Sequence, residues 1–441
     1  MARLGRSFGF LLSATALSNL ADGVLKVGAP LLALTFTRSP VQVALVGAAA
    51  TLPWLLLALH AGALADRLDR RRIMVLANVI RAAVLMAVAV LGALGLMNLW
   101  IMLVAVLLAC VSEVFADVSA QSVLPMTVAP AHLTTANGRV VSTQTIGNDF
   151  AGAPVAGLLV TLLPAAVFGA PALLYGAAGL LLLGMRGRFR PQPENTGPRL
   201  PDRHPRPEST SSGTGRRSMA GDIGEALRYL WRHRFLRTLA VSAGLLNFAS
   251  AAYFGVLVLW VVGDGSRIGL DPAGYGLVMT ALAVGAVAGS LVSDRVVRLF
   301  GEGRALAGLW LISALLHLVP VLLPIAWLLY PTAVVWGAAG AAANVLVITA
   351  RQRLIPAGLL GRVNSAYRLI GMGGMPIGAV LGGVLGEFAG LPAVFLSAAG
   401  VCLAAVGLLW RVVPDRISSP LTSDASIPDI SRSRSAPKGL R

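Results

Sequence analysis

Gly62-Ala63-Leu64-Ala65-Asp66-Arg67-Leu68-Asp69-Arg70-Arg71-Arg72 is the stretch on which the reading of this chain turns. It sets four arginines and two aspartates between two apolar runs, 41–63 and 73–95. Short loops rich in Lys and Arg stay on the cytoplasmic side of a bilayer, because positive charge resists translocation. Part of the pattern returns as Asp294-Arg295 with Arg298, 228 residues further on. The loop and its copy mark one side of a membrane at equivalent places in two halves.

The offset extends beyond this loop. Asn19 answers Asn247 at 228 residues, and Asn137 answers Asn364 at 227. Polar residues matched in this way within apolar sequence point to an internal duplication. Working outward, apolar segments lie at 8–36, 41–63, 73–95, 99–119, 136–162 and 165–185, then at 237–263, 272–297, 304–323, 325–350, 361–387 and 390–411. Each is long enough for the roughly 20 residues that a spanning helix needs. A 441-residue chain that is 56% hydrophobic and 12% charged, with mean hydropathy +0.77, has no way to hide its apolar surface in one water-soluble core. In hydrocarbon the backbone must satisfy its own hydrogen bonds, which selects helices. The expected fold is all-α integral membrane: twelve transmembrane helices in two parallel-repeat six-helix bundles, residues 1–185 and 237–411, with a linker at 186–236 and a tail at 412–441.

A net charge of +17 and a pI near 11.4 would point to nucleic acid in a soluble chain. Here the basic residues lie between spanning segments, and apart from Lys26 and Lys438 all are arginine, a bias expected of a GC-rich genome. Arg67, Arg70, Arg71 and Arg72 follow the second segment, Arg295 and Arg298 the eighth, and Arg351, Arg353 and Arg362 flank the tenth-to-eleventh connection. The alternate connections Gly95–Asn98 and Leu162–Pro171 are nearly uncharged. The arginine-rich loops are therefore expected in the cytoplasm, with both termini, in a multi-pass protein of the cell membrane. The Pro-, Ser- and Arg-rich linker has no means of forming a core, but its end places Ile223, Leu227, Leu230 and Trp231 on one face of an expected interfacial helix. The Ser/Arg/Pro-rich tail is expected to be disordered. Arg3, Arg6 and Ser13-Ala14-Thr15-Ala16 mimic a signal peptide, but the apolar run continues past them.

The Gly62–Arg72 pattern resembles the most diagnostic motif of the major facilitator superfamily, with Asp69 where a second glycine is usual. That variant, Asn19-Leu20-Ala21-Asp22-Gly23 and Leu227-Arg228-Tyr229-Leu230-Trp231-Arg232 resemble the branch containing enterobactin exporters and macrolide-efflux proteins. The resemblance implies alternating access about a site between the halves. It implies a gating role for Gly62, Asp66, Arg67, Arg70, Asp294, Arg295 and Arg298, against the alternative that these charges only set topology. Gly152-Ala153-Pro154-Val155-Ala156-Gly157 is similar to the superfamily's antiporter motif, with Ala153 replacing a glycine. The first, fourth, seventh and tenth helices would surround the cavity, making Asn247, Tyr253, Trp336 and Asn344 substrate candidates; interhelical packing is the alternative for each.

Ionisable residues within a bilayer cost about 2.5–3.5 kcal/mol each at mid-helix and demand a reason. Asn19, Asp22 and Lys26 fall at i, i+3 and i+7, one face of the first helix. They either line a cavity or, for Asp22 and Lys26, pair directly. Gln144 with Asn148, and Thr145 with Asp149, extend a polar stripe along the fifth helix, making Asp149 a second proton-coupling candidate beside Asp22; a structural hydrogen bond is its alternative. Glu113 and Asp117 suit pairing with Arg81 or the arginine loop. Gly374, Gly378, Gly382 and Gly386, with Pro376 among them, form a small-residue ribbon. Gly371-Met372-Gly373-Gly374 neither completes a dinucleotide loop nor follows a strand. Cys110 and Cys402 have no metal-ligand spacing, and His317 is expected to be structural.

The functional expectation is a secondary active transporter that exports a drug-like compound or secondary metabolite by proton antiport. An importer of a nutrient or siderophore, or a non-transporting sensor, remains open. No nucleophile–base or metal set argues for an enzyme. Expected partners are a small-molecule substrate, protons and membrane lipid, with no nucleic acid and no cofactor; a monomer is expected. One proton moving down about 100 mV supplies roughly 2.3 kcal/mol, which sustains a forty- to fiftyfold gradient of a neutral substrate.

Overall fold

The computed structural model describes residues 5–65, 67–187, 189, 227–355 and 360–412, with the side chains of Leu59, Pro130, Leu360, Gly361, Arg362 and Ser365 excepted. Asp66, Ile223, most of the linker and nearly all of the tail lie outside them. Twelve spanning helices run in order: α1 Arg6–Ala33, α2 Pro40–Ala65, α3 Arg70–Ala93, α4 Leu99–Thr127, α5 from Leu133 to Leu162, α6 Ala166–Leu183, α7 Arg234–Val261, α8 Pro272–Phe300, α9 Glu302–Leu316, α10 Leu329–Leu354, α11 Leu360–Ala389 and α12 Leu391–Trp410. Leu173, Leu180, Leu291 and Phe388 are 67–86% exposed, an arrangement that only a hydrocarbon solvent tolerates in such numbers.

Local chemistry sets the helix starts. Asp69 accepts from the Arg72 amide at 3.2 Å and caps α3, so the residue that departs from the family motif has a structural use. Asn98 caps α4 through Ile101, and Asp271 caps α8 ahead of Pro272. Gly301 and Gly390 take positive φ in the tight turns before α9 and α12. α8 runs on to Phe300, so Arg295 and Arg298 belong to its last turns rather than to a loop.

The duplication is visible in the packing. α1 lies on α5 and α6, as α7 lies on α11 and α12; α2 on α4, as α8 on α10; α3 on α4 and α6, as α9 on α10 and α12. Adding six to each helix number maps one bundle onto the other. The same rule relates the two seams between bundles, α2 with α11 and α5 with α8.

Glycine makes the closest approaches possible. A Cβ on Gly285, Gly289 or Gly337 would lie about 2 Å from a carbonyl oxygen across the α8–α10 contact. The ribbon on α11 works similarly: Gly374, Gly378 and Gly382 meet α7 at Phe248 and Ala252, while Gly383 and Gly386 meet the start of α2.

The apolar cores show how the bundles are arranged. One core, running from Leu31 and Val43 through Phe168 to Val256 and Tyr275, is common to both bundles and lies at the arginine-poor end. At the arginine-rich end each bundle has its own, around Phe8 and Leu182 in one and around Leu239 and Leu346 in the other. The bundles meet at one end and part toward the other.

A candidate transport site and its buried charge cluster

Hydrogen bonds reinforce the closed end. Glu387 at the end of α11 accepts from the Ser39 hydroxyl at 2.6 Å and from the Val41 amide at 3.4 Å, and Arg38 donates to the Val262 carbonyl at 3.2 Å. The α5 segment Gly152–Gly157 fills the other seam. A Cβ on Gly157 would lie 2.4 Å from the Pro272 oxygen, and one on Gly276 2.6 Å from the Ala153 oxygen. The segment that resembles the antiporter motif is thus a contact between bundles, and Ala153 is buried within it.

α5 passes through a π-helical stretch, Ile146–Gly152, which holds Asn148 and Asp149. Such stretches are rare and recur at functional sites. On its α1 side Gly147 packs on Asn19 and Leu20, and Gly152 packs on Gly23. Asn148 Nδ2 donates to Asn19 Oδ1 at 2.9 Å, and Asn19 Nδ2 donates to the Thr15 carbonyl at 2.8 Å. The repeat reproduces the approach with a simpler contact, Asn247 of α7 facing Gly371 of α11. Asp149 is half-buried beside this clasp, and Lys26 is exposed on α1. Lys26 makes no ion pair among the described residues but stands within electrostatic range of Asp149 and Glu113.

Asp22 pairs elsewhere. Its Oδ1 accepts from Arg81 Nη2 at 3.0 Å and from the Tyr175 hydroxyl at 2.5 Å. Arg81 is 1% exposed; its Nε donates to the Ala109 carbonyl at 3.2 Å, its Nη2 lies 3.4 Å from Glu113, and its Cζ lies 4.5 Å from the Tyr175 ring centroid. Asp117, one helical turn beyond Glu113, makes no hydrogen bond or ion pair among the described residues. Three carboxylates from α1 and α4 thus gather about one guanidinium from α3, capped by a phenol from α6. Arg81 was legible as a partner for Glu113, but nothing in the pattern of α1 marked it as the partner of Asp22.

The other candidates fall in several environments. Tyr253 is 1% exposed, packed edge-on against Phe254, His317 and Trp336, with Phe254 and Trp336 stacked at 5.1 Å. His317 is buried, its Nδ1 2.7 Å from the Ser313 carbonyl. Asn344 is exposed on α10. In the arginine loop Arg67 is exposed, while Arg70 donates to the Ala65 and Ser122 carbonyls and Arg71 to those of Leu182 and Leu183. Gly62 has open space about it, and Asp294, Arg295 and Arg298 are exposed. Beyond the linker, Leu230 is fully buried and Tyr229 donates to the Leu354 carbonyl, so residues 227–232 dock on the second bundle with Trp231 half exposed. Cys110 and Cys402 are buried free thiols.

A twelve-helix duplication with charges buried in one half, and with halves that share an apolar core at one end only, defines a class, the membrane transporters. The sequence profile described as Major Facilitator Superfamily matches residues 11–270, and that described as Transmembrane secretion effector matches 203–429. The chain belongs to the major facilitator superfamily. It is 25% identical to the multidrug efflux pump Tap of Mycolicibacterium fortuitum, over 88% of this chain and 91% of the relative. It is 27% identical to Tap of Mycobacterium tuberculosis, over 88% and 89%. The enterobactin exporter EntS of Citrobacter koseri is 29% identical over 43% of this chain and 44% of its own. Among solved structures, a bacterial homologue of the iron transporter ferroportin in an inward-facing state superposes with TM-score 0.70 at 16% identity, covering 94% of this chain and all of that one. The nucleoside transporter NupG gives 0.69 at 13%, over 93% and 99%. The structural likenesses show the fold, and membership of the superfamily makes the chain a multi-pass membrane transporter of small-molecule substrates.

Proposed function

We propose that the protein exports a drug-like compound or secondary metabolite across the cell membrane by alternating access, in exchange for protons. The observation that carries this reading is the placement of Lys26 and Asp149 on helices that flank the space between the bundles, beside the Asn19–Asn148 clasp. A charged pair of opposite sign in a cleft that excludes water at one end meets a polar or charged drug and changes its balance when the cleft changes sides. With the arginine-rich loops in the cytoplasm, the cleft opens inward and is shut outward by Glu387, Ser39 and Arg38. Full-length similarity to two efflux pumps of the name Tap supports the outward direction. The gating loop acts through Arg67 and Arg70 together with Asp66, a residue outside those described. The chain works as a monomer, because each bundle supplies half of its cleft.

The test is an efflux-deficient host exposed to a panel of toxic compounds, with the parent, Asp22→Asn and Asp149→Asn compared. Resistance with the parent, collapsed by the variants at equal membrane abundance, is the expected result. Accumulation of the compound inside cells expressing the parent overturns export, and normal resistance in both variants overturns the coupling sites.

A further inference from the structure

Asn364 answers Asn137 at an offset of 227, and Tyr367 answers Val140 at the same offset. Asn137 and Val140 line a polar cavity of about 330 Å³ in the first bundle, beside Asn78 and Gln144. The second bundle uses the equivalent place differently. Tyr367 belongs to the core of the arginine-rich end, 7% exposed, and carries a guanidinium on its ring: Arg351 Cζ, from the last turn of α10, lies 4.0 Å from the ring centroid. A contact of this kind covers one face of the arginine and leaves its N–H groups to find other partners.

Three buried polar atoms have no partner among the described residues here: Arg351 Nε, the Tyr367 hydroxyl and Asn364 Oδ1. The charge is unbalanced as well. Glu302, at the start of α9, is paired with Arg353, whereas Arg351 makes no ion pair among the described residues. Arg368, exposed on α11, stands within electrostatic range of Arg351 and adds to the positive charge. A basic residue in the last turn of a helix ordinarily complements the dipole of that end. Arg353 fits that account, being exposed and paired, but Arg351 is half-buried and turned onto Tyr367. Water satisfies a buried N–H or O–H but brings no charge. A half-buried cation beside a second cation and a buried hydroxyl calls for an anion. The acceptor on Asn364 adds a requirement, that the anion carry a hydrogen-bond donor of its own. A phosphate group meets both, as a free ion with a P–O–H or as the phosphodiester of an acidic lipid whose headgroup hydroxyl supplies the hydrogen; basic pockets between helices at the cytoplasmic face take such headgroups.

We propose that Arg351, Tyr367 and Asn364 form a binding site for a phosphate group at the arginine-rich end of the second bundle. Arg351 Nε and the Tyr367 hydroxyl donate to the anion, Asn364 Oδ1 accepts from the ligand's own hydroxyl, and Arg368 draws the anion in. Occupied, the site ties the end of α10 to the first turns of α11, next to residues 227–232, which dock on Leu354 through Tyr229. It depends neither on the direction of transport nor on the coupling ion.

The test uses the full-length protein in a neutral detergent, without any transport substrate. Native mass spectrometry and the rise in unfolding midpoint read binding, with dioctanoyl phosphatidylglycerol in one arm and glycerol phosphate or inorganic phosphate in the other. Tyr367→Phe keeps the ring under the guanidinium and removes only the hydroxyl; losing one hydrogen bond to a charged group is expected to weaken binding about tenfold or more. Arg351→Gln is expected to lose at least as much, and Arg304→Gln, an exposed arginine of the same end, to bind as the parent does. The midpoint of Tyr367→Phe without ligand, expected close to that of the parent, separates loss of the site from loss of the fold. Retention of the lipid against soluble phosphates assigns the source to the membrane, and its displacement by glycerol phosphate at matched ionic strength assigns it to a free phosphate; either supports the site. Binding of neither, undiminished binding in Tyr367→Phe, or sulfate binding as tightly as phosphate overturns the proposal. An equal loss in Arg304→Gln reduces it to attraction by a basic surface and overturns it as well.

Discussion

Asp22 holds one end of an interaction that joins three helices, and its two hydrogen-bond donors differ in what their loss costs. Removing its charge in Asp22→Asn leaves Arg81 buried with Glu113 as its remaining ion-pair partner, and breaking a buried pair costs about 3–5 kcal/mol before relaxation. Tyr175→Phe removes one hydrogen bond to a carboxylate, worth about 1.5–3 kcal/mol, and keeps the ring over the guanidinium. Thermal unfolding in detergent should therefore show a clear fall in midpoint for Asp22→Asn and a smaller one for Tyr175→Phe; equal falls would contradict the ranking. Asn148→Ala should cost about 0.6 kcal/mol and at most about 2, the range found for interhelical hydrogen bonds in membranes. At this scale the ionisable residues themselves were legible, because each stands out in apolar sequence. Their pairing was not. Helical spacing allows Asp22 to reach Lys26, but the way α1 sits against α3 and α6 turns Asp22 toward Arg81 and leaves Lys26 exposed.

Small residues decide how closely the helices approach, and the glycines divide into two kinds. At Gly378 an added Cβ would lie 2.2 Å from the Phe248 carbonyl oxygen, whereas at Gly400 and Gly407 nothing stands within 4 Å. Gly378→Ala and Gly285→Ala should destabilise by at least the roughly 1–3 kcal/mol typical of overpacking, since the obstacle is backbone, while Gly400→Ala should be neutral or slightly stabilising through helix propensity. Yield and unfolding temperature of the three variants in parallel check this; an intact Gly378→Ala would show that α7 and α11 part easily. The ribbon on α11 was readable from its four-residue spacing. The crossing of α8 and α10 did not stand out in the same way, because Gly285 and Gly289 share that spacing but are only two, a pattern common in apolar helices. α5 shows the limit of periodicity: its first part is polar and its middle is π-helical. A stripe drawn at 3.6 residues per turn deviates there, within the stretch that carries Asn148 to Asn19.

For the whole molecule, the shared core packs the arginine-poor end shut, and the latch at Glu387 adds hydrogen bonds across it. Linking Ser39→Cys to Glu387→Cys with a short bifunctional thiol reagent, in a chain with both native cysteines replaced, should abolish transport reversibly, since the closed end must open once in each cycle. Glu387→Ala should do the converse, increasing thiol labelling of Ala273→Cys from the arginine-poor side; unchanged labelling would show that apolar packing alone holds the seam. Hydropathy, arginine placement and the constant offset determined from sequence alone that the chain spans a membrane twelve times in two matched halves, because those properties are set by the solvent around each helix and by duplication along the chain. The tertiary structure decided which charges share a cluster, which end is shut and where a polar cavity lies. Those depend on helix rotation and on glycine-limited distances between backbones, quantities that no single segment of sequence encodes.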